Sequence, residues 1–251
     1  MATSGDTIER VSRAAIAAGL AAVRAARPRA VIGADLSGDA AGAGIETVAP
    51  VLLADGCRRF FVQTVEEALD LQRLLYSRCV EAPIRVLDGP EGMPAAEAFD
   101  VERVAGALKN FYGDPLPYSP DVAGIVPVLG RAGDLDWWRG DRGPSLEGAA
   151  IGVGEGGFAL ADAVALARAM PPAERRSVEW VVRLPPGDAG AELLAAVLAE
   201  LLPLGMVAGR TAPLGSLADE AHWDAAIPDD VGGCPLEVRA GPEALGFAPP
   251  R

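Results

Sequence analysis

Short apolar runs rich in valine, isoleucine and phenylalanine alternate along this chain with longer stretches of helical period, and no other pattern constrains its fold as tightly. The clearest unit spans residues 30–75. An apolar strand at 30–32 enters a glycine-rich loop, 33–44. An apolar-periodic helix follows and stops at Gly56, a residue suited to the left-handed position beyond a helix C-terminus; a second strand lies at 59–62. Thr64 with Glu67 three residues on forms a capping box, which opens a helix with Ala68, Leu71, Leu74 and Leu75 on one face.

The alternation continues to the end of the chain. Further strands are expected at 84–87, 125–128, 149–153, 178–184, 206–208 and 236–239. A helix capped by Asp6 or Thr7 should precede the first strand, and others should cover 94–108, 160–169 and, capped by Asp188, the stretch to Leu202. Residues 110–121 read as a loop, as does the charged surround of Trp137 and Trp138. Eight strands alternating with helices predict an α/β chain folded as a single TIM-type (β/α)8 barrel, and 251 residues suit one such domain over 1–251 with a frayed tail at 248–251.

Charge narrows the function. With 35 acidic against 22 basic residues and a net charge of −13, nucleic acid and anionic membrane surfaces are poor partners. No apolar run is long enough to span a bilayer, and the opening MATSGDTIER lacks a signal-peptide pattern, so a cytoplasmic location is expected. Cys57, Cys79 and Cys234 are too few and scattered for a disulfide framework, and His222 is the single histidine. Asp35, Asp39 and Glu155 fall near strand ends without a cation-binding spacing, and no metal site is expected.

Two stretches carry a family resemblance. IETVAPVLLADGCRRFFVQTVEEALDLQ, residues 45–72, resembles the GCxxFFVAT-EEAL run of the alanine racemases, and RAGPEALG at 239–246 resembles their eighth-strand RPGxxLYG. The resemblance implies their N-terminal pyridoxal-phosphate barrel. In that family a KADAYGxG lysine at the end of the first strand forms the Schiff base with the cofactor. The lysine position falls here on Gly33 when aligned from the strand and on Ser37 when aligned from the helix, and neither has an amine. The fifth-strand motif KxDTGMxRLG aligns with 152–160, placing Gly152 at its lysine and Ala159 at its arginine; Gly156 and Leu160 keep its outline. Arg183 takes the place of a sixth-strand histidine, and 212–216, ending in Ser216, stands at the phosphate-binding turn.

Arg239 and Gly241 are the residual cofactor positions that the resemblance implies, while Pro242 occupies a position whose N–H reaches the cofactor phosphate in the family. The family's second catalytic domain also has no counterpart in these 251 residues. The expectation is an alanine racemase-like pseudoenzyme with a binding, assembly or regulatory role, no covalent cofactor, and pyridoxal phosphate held only noncovalently if at all. The alternative is a divergent isomerase of the amino-acid racemase type, or a pyridoxal-phosphate-binding protein, built around Arg239. Ser37, Gly154, Gly156, Arg183 and Ser216 are candidates for a small anionic ligand. Trp137 and Trp138 are candidates for the interface of a homodimer or protein complex, since tryptophan contributes heavily at interface centres. Lys109, the single lysine, reads as a solvated helix-end residue.

Overall fold

The computed structural model describes residues 12–93, 124–217, 229–231 and 233–247. Its strands are β1 (Val31–Asp35), β2 (Phe60–Val62), β3 (Ile84–Val86), β4 (Ile125–Leu129), β5 (Ala150–Gly154), β6 (Glu179–Leu184), β7 (Thr211–Leu217) and β10 (Glu237–Ala240). They close in the order β1-β10-β7-β6-β5-β4-β3-β2. Every pairing around the ring is parallel. The expected barrel is therefore present. A two-residue antiparallel ladder, β8 (Asp230–Val231) with β9 (Cys234–Pro235), precedes the last strand.

The described helices are α1 (Arg13–Ala26), α2 (Ile45–Ala54), α3 (Val65–Ser77), α4 (Ala132–Arg142), α5 (Leu160–Ala169), α6 (Pro172–Ser177) and α7 (Asp188–Leu201). The capping box is formed: the Thr64 hydroxyl accepts the Glu67 N–H at 3.3 Å, and Glu67 accepts the Thr64 N–H at 3.1 Å. Among the described residues no helix is long and apolar enough to cross a membrane. The expected helix at 94–108, the loop at 110–121, Lys109, His222 and the tail at 248–251 lie outside the described residues.

Four expectations are corrected. The helix Arg13–Ala26 is capped by Ser12, whose Oγ accepts the Ala15 N–H at 3.3 Å, so it starts later than expected; Asp6 and Thr7 lie outside the described residues. The first strand runs on through Asp35, past the glycine that seemed to end it. The seventh strand is β7 and not 206–208, because Leu202–Leu204 and Ala208–Arg210 form 3-10 turns around Gly205 at φ 103°. Pro213 disguises β7 as a turn, yet it withholds one ladder donor only, and the register with β6 runs through it. Trp137 and Trp138 lie on α4 and not in a loop. Gly133 and Gly140 weaken that helix on paper, but Asp134 caps it by accepting the Gly130 and Arg131 N–H groups at 2.9 and 3.0 Å.

Strand residues alternate between two cores. Outward side chains such as Phe60, Val62, Ile84, Val86, Trp180 and Val182 pack under the helices. Inward ones, Phe61, Leu87, Val128, Ala150, Val181, Ala212 and Leu214, form a separate plug inside the ring. Beneath that plug, toward the N-terminal ends of the strands, the inward positions turn ionic. Arg85 is 2% exposed and Glu237 3%. The Arg85 guanidinium donates to both carboxylate oxygens of Glu237, at 2.9 and 3.0 Å, and to both of Glu179, at 2.9 and 2.6 Å. Arg59 pairs with Glu237 as well, so two guanidiniums face two carboxylates.

Burial alone would raise the Glu179 pKa. The hydrogen bonds and charge of Arg85, with the charges of Arg59 and Arg210, outweigh it and hold the carboxyl below its ordinary value. A depressed folded pKa contributes stability above the unfolded value, about 4.3, and loses it as pH falls through the folded value. Stability measured by urea denaturation should therefore drop in acid below about pH 4, with a shallower slope in Glu179→Gln. At neutral pH, Arg85→Met should cost about 3–5 kcal/mol, because it takes the guanidinium from half-buried Glu179 and leaves buried Glu237 with Arg59 alone.

A candidate ligand site at the C-terminal mouth

In a parallel barrel the residues at the C-terminal strand ends face one mouth, and here they are polar. Asp35 ends β1. Its Oδ1 accepts the Ser37 hydroxyl at 2.6 Å and the Ser37 N–H at 3.1 Å, while Oδ2 lies 3.4 Å from Nε of Arg239 on β10. The turn that follows, Ser37–Ala41, winds in the left-handed sense: Gly38, Asp39 and Ala40 have φ of 65°, 53° and 55°. Left-handed geometry is costly for residues other than glycine and persists where surrounding contacts impose it. Glu67 supplies such contacts. One of its carboxylate oxygens accepts the Gly38 and Asp39 N–H groups, the latter at 3.1 Å; the other accepts those of Gln63 and Thr64, at 2.9 and 3.1 Å. The loop after β1 is thereby tied to the N-terminus of α3.

Arg183 approaches from β6. Its guanidinium donates to the Leu87 carbonyl and, at 3.4 Å, to the Glu155 carbonyl, so it links the loops after β3 and β5. Gly154 and Gly156 make room for it. A Cβ at Gly154 would meet the Arg183 carbonyl at 2.4 Å, and one at Gly156 would meet Arg183 Nη1 at 2.7 Å. Burial lowers the Arg183 pKa first, and the like charge of Arg239 lowers it further. Two guanidiniums thus repel one another at this mouth, with Asp35 between β1 and β10 as a local counter-charge. The Arg183 Nε–H is buried and has no hydrogen-bond partner among the described residues.

The other expected positions divide. Ser216 sits in β7 in register with Arg239, and Gly241 follows β10 directly, so both belong to the mouth. Gly156 and Gly154 serve Arg183 sterically. Trp138, in contrast, is 4% exposed and donates its indole N–H to the Ser145 carbonyl at 2.9 Å, so it presents no docking surface. Trp137 is half-buried against the main core. Asp39 caps the Ile45 N–H at 2.7 Å, and Asp35 is committed to Arg239 and Ser37. Among the described residues no group of three metal-ligating side chains is assembled. Asp35 as the anchor of Arg239 was missed because the expected strand, 30–32, ends three residues early.

Gly33 decides what the mouth can do. Its register partner is Arg239, which places it on the inward side of β1. A Cβ there would come within 2.5 Å of the Phe61 ring and 3.1 Å of the Arg59 side chain. The inward slot beside Gly33, in the middle of β1, is thus filled by an aromatic ring. Ser37 is bonded to Asp35 and offers a hydroxyl, not an amine. Pro242 has no N–H to offer a phosphate. These residues do not fit a pyridoxal phosphate attached as an imine.

Fold and mouth together define a parallel (β/α)8 barrel whose inward face carries arginines where the strands end. Residues 11–110 match the family model "Alanine racemase, N-terminal domain". The chain is 41% identical over 86 residues to the alanine racemase of Acidiphilium cryptum (strain JF-5), a match over 34% of this chain and 23% of that protein. Among solved structures, the Bartonella henselae alanine racemase with covalently bound pyridoxal phosphate superimposes with a TM-score of 0.60 at 19% identity, covering 96% of this chain and 62% of that one. The Corynebacterium glutamicum alanine racemase gives 0.62 at 17% identity, covering 94% and 61%. The chain resembles the N-terminal barrel of the alanine racemases, in sequence over residues 11–110 and in fold over nearly all its length. It spans less than two thirds of each of these proteins.

Because the slot beside Gly33 is occupied, Gly33→Ala should destabilise the protein by about 1–3 kcal/mol in urea unfolding. Phe61→Leu in the same chain should recover part of that loss, and a Gly33→Ala variant as stable as the parent would show the slot to be open.

Proposed function

We propose that this chain is an alanine racemase-like barrel that has lost imine chemistry and works by binding, with a small anion held at the C-terminal mouth by Arg183 and Arg239. The observation that supports this reading most is the closeness of the Phe61 ring to Gly33: neither Gly33 nor Ser37, the two positions aligned with the family's lysine, has an amine, and a side chain at 33 would have to displace that ring. Proton abstraction from an amino-acid α-carbon needs an electron sink and a base suitably placed, and the family supplies the sink through that lysine. At the mouth the guanidiniums of Arg183 and Arg239 stand among carboxylates, with Asp35 engaged to Arg239 and the charges of Asp88, Glu155 and Asp134 acting on Arg183. Such a set can orient an anion and cannot form an imine.

A second reading is favoured by the buried, unpartnered Nε–H of Arg183 beside the charge of Arg239: pyridoxal phosphate itself, held noncovalently by its phosphate. One experiment separates these from an active racemase. After incubation with pyridoxal 5′-phosphate and borohydride reduction, peptide mapping should find no pyridoxyl adduct on residues of the barrel mouth, and L-alanine should not be racemised. An adduct there would sink the proposal. Noncovalent binding should be reversed by dialysis and weakened about tenfold in Arg239→Ala.

Assembly with a second copy or a protein partner also belongs to this reading, with Trp137 as its candidate contact. Light scattering should show a mass that falls toward the monomer in Trp137→Ala. Trp138→Ala should instead cost about 3–5 kcal/mol of folding stability, since it empties a buried site.

A further inference from the structure

The opposite, N-terminal face of the barrel holds a cavity of about 420 Å³. It is walled by the last turn of α1 and its C-cap, the start of β1 and the segment after α2. Its charged lining residues are four arginines, Arg24, Arg27, Arg58 and Arg59, with no carboxylate among the lining. In a chain of net charge −13, such a concentration of positive charge is not a by-product of composition.

Two of the four are neutralised from outside the cavity: Arg27 pairs with Asp229 at 3.1 Å and Arg59 with Glu237. The other two form no ion pair among the described residues. Arg24 donates from Nη1 to the Asp55 carbonyl at 2.7 Å; Arg58 donates from Nη1 to the carbonyls of Leu53 and Cys57 at 2.7 and 2.8 Å. These acceptors lie at the C-terminal end of α2, whose partial negative charge would by itself repel an anion. The full charges of Arg24 and Arg58 oppose that partial charge and the nearby Asp55 carboxylate, and bonds through Nη1 hold each guanidinium while leaving its other N–H groups for a ligand. Guanidiniums match phosphate oxygens in pairs, and a cavity of this size admits a small molecule.

We propose that this N-terminal cavity is a second ligand site, which binds a compact polyanion of the phosphate type between Arg24 and Arg58, with Arg27 and Arg59 in its wall. The site is independent of the reading of the mouth. It has its own charges, on elements at the other end of the strands.

The test is calorimetric titration of the full chain with inorganic pyrophosphate at fixed ionic strength, in the parent, in Arg183→Ala/Arg239→Ala and in Arg24→Gln/Arg58→Gln. A site that persists in the mouth variant and weakens about tenfold or more in Arg24→Gln/Arg58→Gln is the expected result. Loss of all binding in the mouth variant would assign the anion to the mouth and overturn this proposal while supporting the previous one. Unchanged affinity in Arg24→Gln/Arg58→Gln would overturn it as well. Circular dichroism checks that each variant is folded. If the double variant is not, Arg58→Gln alone, a change at an exposed residue, is held to the same tenfold criterion.

Discussion

The barrel is built over a buried ionic layer. Arg85 reaches Glu179 and Glu237 across sequence separations of 94 and 152 residues, so its charge is satisfied only when β3, β6 and β10 have all taken their places. Apolar contacts inside the ring are tolerant of small slips; a guanidinium with four donor contacts to two carboxylates is not. A one-residue shift of any of these strands would turn its charge outward under the helices, where the neighbours are side chains such as Trp180 and Val182. The layer therefore fixes register more than it adds net stability, given the desolvation that buried charges cost. With register fixed at the N-terminal end, the arginines two and four residues further along β10 and β6, Arg239 and Arg183, are delivered to the mouth.

Much of this was legible in the sequence, for physical reasons that can be named. The run from residue 30 to 75 alternates its periodicities cleanly, and the Thr64–Glu67 box marks a helix start to the residue. The errors fell where local propensity opposes the fold. Pro213 and Gly215 make β7 look like a turn, and Gly133 with Gly140 make α4 look like a loop, until tertiary pairing and the Asp134 cap override them. The ionic layer was invisible because its charges are scattered one or two to a strand among apolar residues, and nothing local says which charges on distant strands share a level.

The mouth was legible in part. Arg183 and Arg239 were found through the family resemblance, and the absence of an amine at Gly33 and Ser37 was evident in either alignment. What the sequence could not supply was the crowding around position 33. The Phe61 ring on the adjacent strand lies where a side chain there would start, so any larger residue has to displace it.

Glu67 has a consequence of a different kind. Its two oxygens serve four backbone N–H groups on two separate loops, and all of these are donors that demand an acceptor. Glutamine, with one oxygen and an amide NH2 that can only donate, could serve one loop and would press donor against donor at the other. The residue that begins as an ordinary helix cap is thus a keystone between two loops of the mouth.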